Sequence, residues 1–197
     1  MNHQTLDPDI LVQAYRQGAF PMADPQTGRI SWFSPDPRAI IPLDKFQSSR
    51  SIRQIIKKKV FEVRIDCAFN QVIHGCAERD ETWISPEIIQ VYCELHTQGL
   101  AHSVESWHDG HLAGGLYGVA IGGAFFGESM FTRVDYASSV ALVHLVSTLR
   151  ERHFQLLDTQ FLTPHLVRFG AVEIPRKSYL RFLEEALDVV TTFSKQL

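Results

Sequence analysis

Apolar positions along the chain recur with two periods, and the switches between them mark out a series of elements. The segment from Asp7 or Pro8 to Gln17 reads as a first helix, with Asp7 as N-cap, Pro8 in the first turn and Gly18 as a left-handed stop. Phe20 to Arg38 holds Pro21, Pro25, Gly28, Pro35 and Pro37, and reads as a turn-rich seam before the main domain. Arg50 to Lys58 is amphipathic: Ile52, Ile55 and Ile56 share one side, and Arg50, Arg53 and Lys57 the other. Phe61 to Asp66 alternates like a strand, while Phe69 to Ala77 and Pro86 to Gln98 read as helices, the second stopped by Gly99. Ala101 to Trp107 and Leu112 to Ile121 flank His108-Asp109-Gly110, a hairpin signal, and Gly122-Gly123 turns into Ala124 to Phe131. Ser138 to Arg150 has so little polar surface that it predicts a buried helix. Phe154 to Gln160 returns as a strand, and Ser178 to Val189 closes the chain as a helix. Helices, an antiparallel meander, a buried helix and a returning strand make an α+β sheet domain.

Composition narrows the class. Of the 197 residues 45% are hydrophobic and 21% charged, which suits a globular domain able to bury a core. The opening MNHQTLDPDI is no secretory signal, and no run approaches the ~20 apolar residues that span a bilayer, so a cytoplasmic location with no membrane partner is expected. Cys67, Cys76 and Cys93 lack CxxC spacing and read as free, mostly buried thiols. The nine histidines offer no three-ligand set, and the expected metal content is none. A net charge of −3 argues against wholesale nucleic-acid coating, yet Lys45 to Val60 carries six basic residues and no acid. That run is either a solvated face or a phosphate-contacting patch, which supplies affinity without reading sequence.

Two places hold candidate chemistry. On a strand, Phe154, Leu156, Asp158 and Gln160 share a face that turns from apolar to polar at its C-terminal end. Spacing alone fits a site there, or Asp158 merely capping the next turn. Glu128 and Met130 share a face of another strand, so Glu128 is either an exposed edge residue or part of a site. The glycines at 114, 115, 118, 122, 123 and 127 suggest close backbone approach or bulges. They match neither GxGxxG nor GxxxxGK[ST], so no nucleotide cofactor is expected.

In order and spacing, several segments together resemble the leucyl/phenylalanyl-tRNA–protein transferase family over nearly the whole chain. They are AYRQGAFPM (14–22), WFSPDPRAII (32–41), SRSIRQ (49–54), TWISPEI (82–88), LHTQGLAHSVESW (95–107), LAGGLYGVAIGGAFFGESMF (112–131) and LLDTQFLTPHLVRFGAVEIPR (156–176). The resemblance implies a small N-terminal domain, residues 1–34, and an acetyltransferase-like catalytic domain with a mixed sheet, residues 35–197. It implies transfer of Leu, Phe or Met from aminoacyl-tRNA to proteins beginning with Arg or Lys, tagging them for degradation, with no cofactor. Carried over residue by residue, the catalytic set is Asp158 and Gln160 with Glu128 beside them. The donor side-chain pocket is Leu116, Phe125, Met130, Leu142, Leu145, Leu149 and Leu157, and Trp83 and Tyr92 hold the terminal adenosine. Arg50, Arg53, Lys57, Lys58 and Lys59 take the acceptor-stem phosphates.

This chain differs from the usual pattern at Met22, where the family often has Trp, at Thr132 and Ser139, and at the leucines 145 and 149, where aromatics occur. A related acyl-CoA N-acetyltransferase activity would want a glycine-rich pyrophosphate loop, and residues 132–137 contain no glycine. A non-catalytic adaptor for tRNA or basic N-termini, or a transferase with another acceptor preference, remains compatible with the same segments. For the expected reaction, Asp158 with Gln160 would orient and deprotonate the acceptor amine, or, since proximity alone is worth about 7–11 kcal/mol, Asp158 would position it more than abstract its proton; Glu128 would meet the acceptor's basic first residue.

Overall fold

The structure, a computed structural model, describes residues 6–194. Helix α1 (Pro8–Arg16) starts where Asp7 Oδ1 accepts from the Asp9 amide at 2.8 Å and ends at Gly18, φ +77°. A hairpin of β1 (Phe20–Ala23) and β2 (Ile30–Phe33) follows, then β3 (Arg38–Ile40). The first two strands stand where the sequence suggests only turns, and β3 begins at the last residue of that segment. Each is three or four residues long, too short to show a period.

Next come α2 (Arg50–Lys57), β4 (Glu62–Ile65), α3 (Phe69–Ala77) and α4 (Pro86–Thr97). The meander is β5 (Ala101–His108), β6 (His111–Ile121) and β7 (Ala124–Thr132), turned at Asp109-Gly110 and Gly122-Gly123. Helix α5 (Ala137–Glu151), β8 (Leu156–Gln160), the short α6 (Pro164–Val167), β9 (Val172–Ile174) and α7 (Arg176–Leu187) complete the chain. α6 and β9 carry no sequence signal of their own. The result is the expected α+β architecture with a mixed sheet.

The main sheet runs β4-β5-β6-β7-β8-β3-β9, and of these pairs only β7 with β8 is parallel. Alternation sends neighbouring side chains into two separate cores. Tyr117, Phe126 and Leu156 pack with Leu11, Tyr15, Ile88, Tyr92 and Tyr179 on one face. Leu116, Phe125 and Leu157 pack under α5 on the other. Phe154 belongs to this second core, because His153 turns at φ +60° and the strand begins only at Leu156. It therefore does not share the face of Leu156 and Asp158. Of the thiols, Cys76 is buried and pushed up to about 12 by that burial, Cys93 is half-buried, and Cys67 is exposed, unlike the expected mostly buried set.

Candidate active site

The one parallel pair creates the site. β7 and β8 are in register only over Ala124–Phe126 and Leu156–Asp158, after which they diverge. The wedge between them, roofed by α5, encloses a cavity of about 520 Å³. Leu116, Met130, Leu142, Leu145 and Leu157 make one end apolar, and Glu128, Thr159 and Gln160 make the other polar. Phe20, Met22, Trp83 and Phe161 stand at its rim, where Phe161 lies edge-on to Phe20.

A bulge places Glu128. Gly118 pairs with Gly127 and Tyr117 with Ser129, so Glu128 is an extra residue that the ladder leaves unpaired. A Cβ on Gly118 would lie 2.3 Å from the Phe126 carbonyl oxygen, so the bulge needs glycine there. Met130, paired with Leu116, faces α5. Glu128 is turned to the opposite side, so the two do not share a face as simple alternation predicts. The Glu128 carboxylate accepts from Tyr15 Oη at 2.6 Å, Tyr92 Oη at 3.1 Å and Gln160 Nε2 at 2.9 Å. The two phenol hydroxyls also touch each other. Burial pushes the Glu128 carboxyl up to about 7; the two phenol hydrogen bonds oppose that rise, and nearby Asp158 adds to it.

Asp158 is fully buried and met by four donors. Arg38 Nε and the Gln160 amide reach Oδ1, each at 2.9 Å, while Arg38 Nη2 at 2.6 Å and Tyr179 Oη at 2.8 Å reach Oδ2. A carboxylate offers about four lone-pair positions, so all are taken. The Arg38 guanidinium is itself buried between the rings of Phe20 and Tyr179, 4.7 and 4.6 Å from their centroids. Gln160 then turns sharply: its φ is +57° and the Phe161 amide donates to the Thr159 carbonyl at 2.6 Å, a γ-turn. Backbone strain of this kind gathers where a side chain must be aimed.

A family model described as leucyl/phenylalanyl-tRNA protein transferase matches residues 40–184, and one for that family's N-terminal domain matches residues 4–36. The chain belongs to the leucyl/phenylalanyl-tRNA–protein transferase family. Relatives carrying that name agree along their length. The Herpetosiphon aurantiacus protein is 54% identical over 95% of this chain and 98% of its own. The Gloeobacter violaceus protein is 55% identical over 96% of this chain and 98% of its own, and that of Salinibacter ruber 55% over 93% and 81%. The family is one of aminoacyltransferases.

Set against the transferase pattern, the structure brings together Asp158, Gln160 and Glu128, and five of the seven expected donor-pocket residues. The other two, Phe125 and Leu149, are wholly buried in the core beneath α5 and do not reach the cavity. Trp83 stands at the mouth, half-buried. Tyr92 is a correction: it is fully buried, packed edge-on against Tyr117, with its hydroxyl on Glu128, so no ring face is open to an adenine. Of the two roles open to Asp158, the geometry favours positioning, since with its lone pairs taken it has no position left for a proton from an amine.

Arg50, Arg53, Lys57, Lys58 and Lys59 are all exposed on and just beyond α2, and among the described residues none forms an ion pair. No group of three metal-ligating side chains occurs among the described residues, nor does a helix long and apolar enough to cross a membrane. Sequence reasoning missed Arg38, Tyr15 and Tyr179. A lone arginine heading the apolar run Ala39-Ile40-Ile41 was a signal for the first, and the Leu11–Tyr15 spacing for the second.

Proposed function

We propose that the chain moves Leu, Phe or Met from its charged tRNA to the α-amine of proteins beginning with Arg or Lys, in the cytoplasm, marking them for degradation. The observation that carries this reading is the cavity's division: a hollow of leucines and Met130 lies against a half-buried carboxylate and a buried amide. The apolar end suits an aliphatic or aromatic donor side chain. Such a pocket separates neighbours by only ~1–3 kcal/mol per methylene, which fits tolerance of several donors. Glu128, held by uncharged partners, is the group to meet a basic first residue.

The aminoacyl ester is already activated, so aminolysis needs a neutral amine held in line, and positioning alone is worth about 7–11 kcal/mol. Gln160 gives Nε2 to Glu128, which leaves its amide oxygen to accept an N–H of the attacking amine. Asp158 acts through Gln160: it takes the Gln160 backbone amide and sustains the turn that aims the side chain. Trp83 and Met22, which line the cavity, would meet the terminal adenosine, and the exposed cations of α2 would meet acceptor-stem phosphates.

The test follows label from Leu- or Phe-tRNA into a model protein that starts with Arg. Transfer without added nucleotide, reduced in Gln160→Ala and weaker for an Asp-starting acceptor, is the expected result. Absence of transfer to Arg-, Lys-, Asp- and Glu-starting acceptors would leave a tRNA-binding adaptor as the better account.

A further inference from the structure

The cavity lining includes one permanent cation, Arg79, on the loop of residues 78–85 between α3 and α4. Arg79 is exposed as well as lining, so it stands where the cavity meets solvent. Its Nη2 donates to the Met130 carbonyl at 2.6 Å and to Ser129 Oγ at 3.0 Å. Four residues on, the Trp83 carbonyl accepts from the Ala23 amide at 3.1 Å. The loop is thus pinned to β7 at one point and to β1 at another, and it carries a guanidinium and an indole to the same cavity. Met130 lines the leucine hollow with its side chain and holds Arg79 with its carbonyl, so the cation stands beside that hollow.

This anchoring leaves most of the guanidinium unused. Both bonds come from Nη2, and among the described residues Nε and Nη1 of Arg79 donate to no protein atom. The N–H groups on those two nitrogens are therefore free for a ligand. No carboxylate answers the charge either. Glu78 pairs with Arg133 at 2.8 Å, and the exposed Asp80 and Glu81 form no ion pair among the described residues. A neutral donor would serve to fix the loop on a carbonyl and a hydroxyl. A full charge with free N–H groups at a cavity mouth suits a phosphate, whose oxygens accept charge-assisted hydrogen bonds.

We propose that Arg79 binds the phosphodiester on the 5′ side of the donor's terminal nucleoside. This rests on the function proposed above. An aminoacyl ester inside the cavity leaves the rest of its tRNA outside, so the sugar–phosphate chain crosses the mouth. The first phosphate to cross is the one joined to the terminal nucleoside. With the amino-acid side chain in the leucine hollow and the base at Trp83, that phosphate meets the free cation of the Trp83 loop. The carboxylate of Glu128 lines the same cavity and repels a phosphate, so the two charges sort the substrates: phosphate to Arg79, basic residue to Glu128. The contact adds affinity and fixes register, and it reads no base.

The experiment compares two hydrolysis-resistant donors by calorimetry: leucine amide-linked to the ribose of adenosine, and the same molecule extended on its 5′ side by one cytidylate. Only the second carries a phosphodiester. Arg79→Met is expected to lower the ratio of dinucleotide to nucleoside affinity about five- to tenfold, the worth of one charged contact at an exposed site. Arg79→Lys keeps the charge and is expected to hold that ratio within about threefold of wild type. With whole Leu-tRNA, the slope of log affinity against log salt should flatten by about 0.7 in Arg79→Met, the amount for one single-stranded phosphate. A ratio within about twofold of wild type in Arg79→Met overturns the proposal. An equal loss for both analogues also overturns it, because it makes Arg79 only a clamp on the Trp83 loop. Should Arg79→Met fail to fold, Arg79→Lys and Arg79→Gln carry the test, and equal ratios in the two overturn it. Wild-type protein that binds neither analogue removes the donor reading itself, whereas binding of both with a ratio indifferent to Arg79 removes only this inference.

Discussion

Glu128 lines the cavity and Asp158 lies buried behind its wall, both held to Gln160, and the groups around them differ in charge. Asp158 is met by the Arg38 guanidinium, a phenol and a backbone amide; Glu128 is met by two phenols and a side-chain amide. A buried carboxylate with a bidentate cation has its charge answered inside the protein and its lone pairs used. A carboxylate held by neutral donors keeps an unanswered charge, and its carboxyl is pushed up to about 7. The first is framework, and the second is the group that, on the function proposed above, would meet a cation from outside.

The largest expected effect breaks the framework half of the comparison. Arg38→Met leaves Asp158 buried and alone and should cost about 3–5 kcal/mol in urea unfolding. The double variant Arg38→Met/Asp158→Leu should regain most of that stability without regaining transfer. Next, Asp158→Asn should destabilise by about 1–3 kcal/mol, because the amide nitrogen faces donors, and should slow transfer while leaving the pH profile's shape unchanged. A loss of the profile's limb near pH 7 in this variant would make Asp158 the titrating group instead.

Glu128→Gln sharpens the other half. The folded carboxyl sits at about 7 against an ordinary 4.5, so the folded protein holds the proton more tightly than the unfolded chain does. Its contribution to stability is complete below pH 4.5 and is lost as pH rises through about 7. Glu128→Gln should therefore gain on wild type from pH 5 to pH 8, by up to about 3 kcal/mol, while KM for an Arg-starting acceptor rises and its pH limb near 7 disappears. Tyr15→Phe is the smallest step. It removes one donor that lowers the Glu128 pKa, so the limb should move to higher pH, with a stability cost of about 1 kcal/mol.

The sequence made much of this legible, and the failures have physical causes. Helices α1 to α5 and the meander show because amphipathic period, caps and glycine turns are local properties. β8's polar end was readable for the same reason. Arg38 was less so, since its partner lies 120 residues away and its one local sign is the apolar run that it heads. Tyr92 looked like a stacking platform by family position, and only tertiary packing shows both ring and hydroxyl in use. Phe125 and Leu149 have the right chemistry and the wrong depth, which depends on where β7 and β8 part.

The bulge on β7 also bears on how such a site arises. Pairs before it, from Ile121↔Ala124 to Gly118↔Gly127, and pairs after it, from Tyr117↔Ser129 to Gly114↔Thr132, differ in register by one residue, and that residue is Glu128. A chain without residue 128 would zip β6 to β7 as an unbroken ladder, with Met130 still under α5 and Ser129 still on the far face. The site's titrating carboxylate is thus a supernumerary position that the sheet can close without, so a gain or loss of one codon could add or remove it while leaving the scaffold intact.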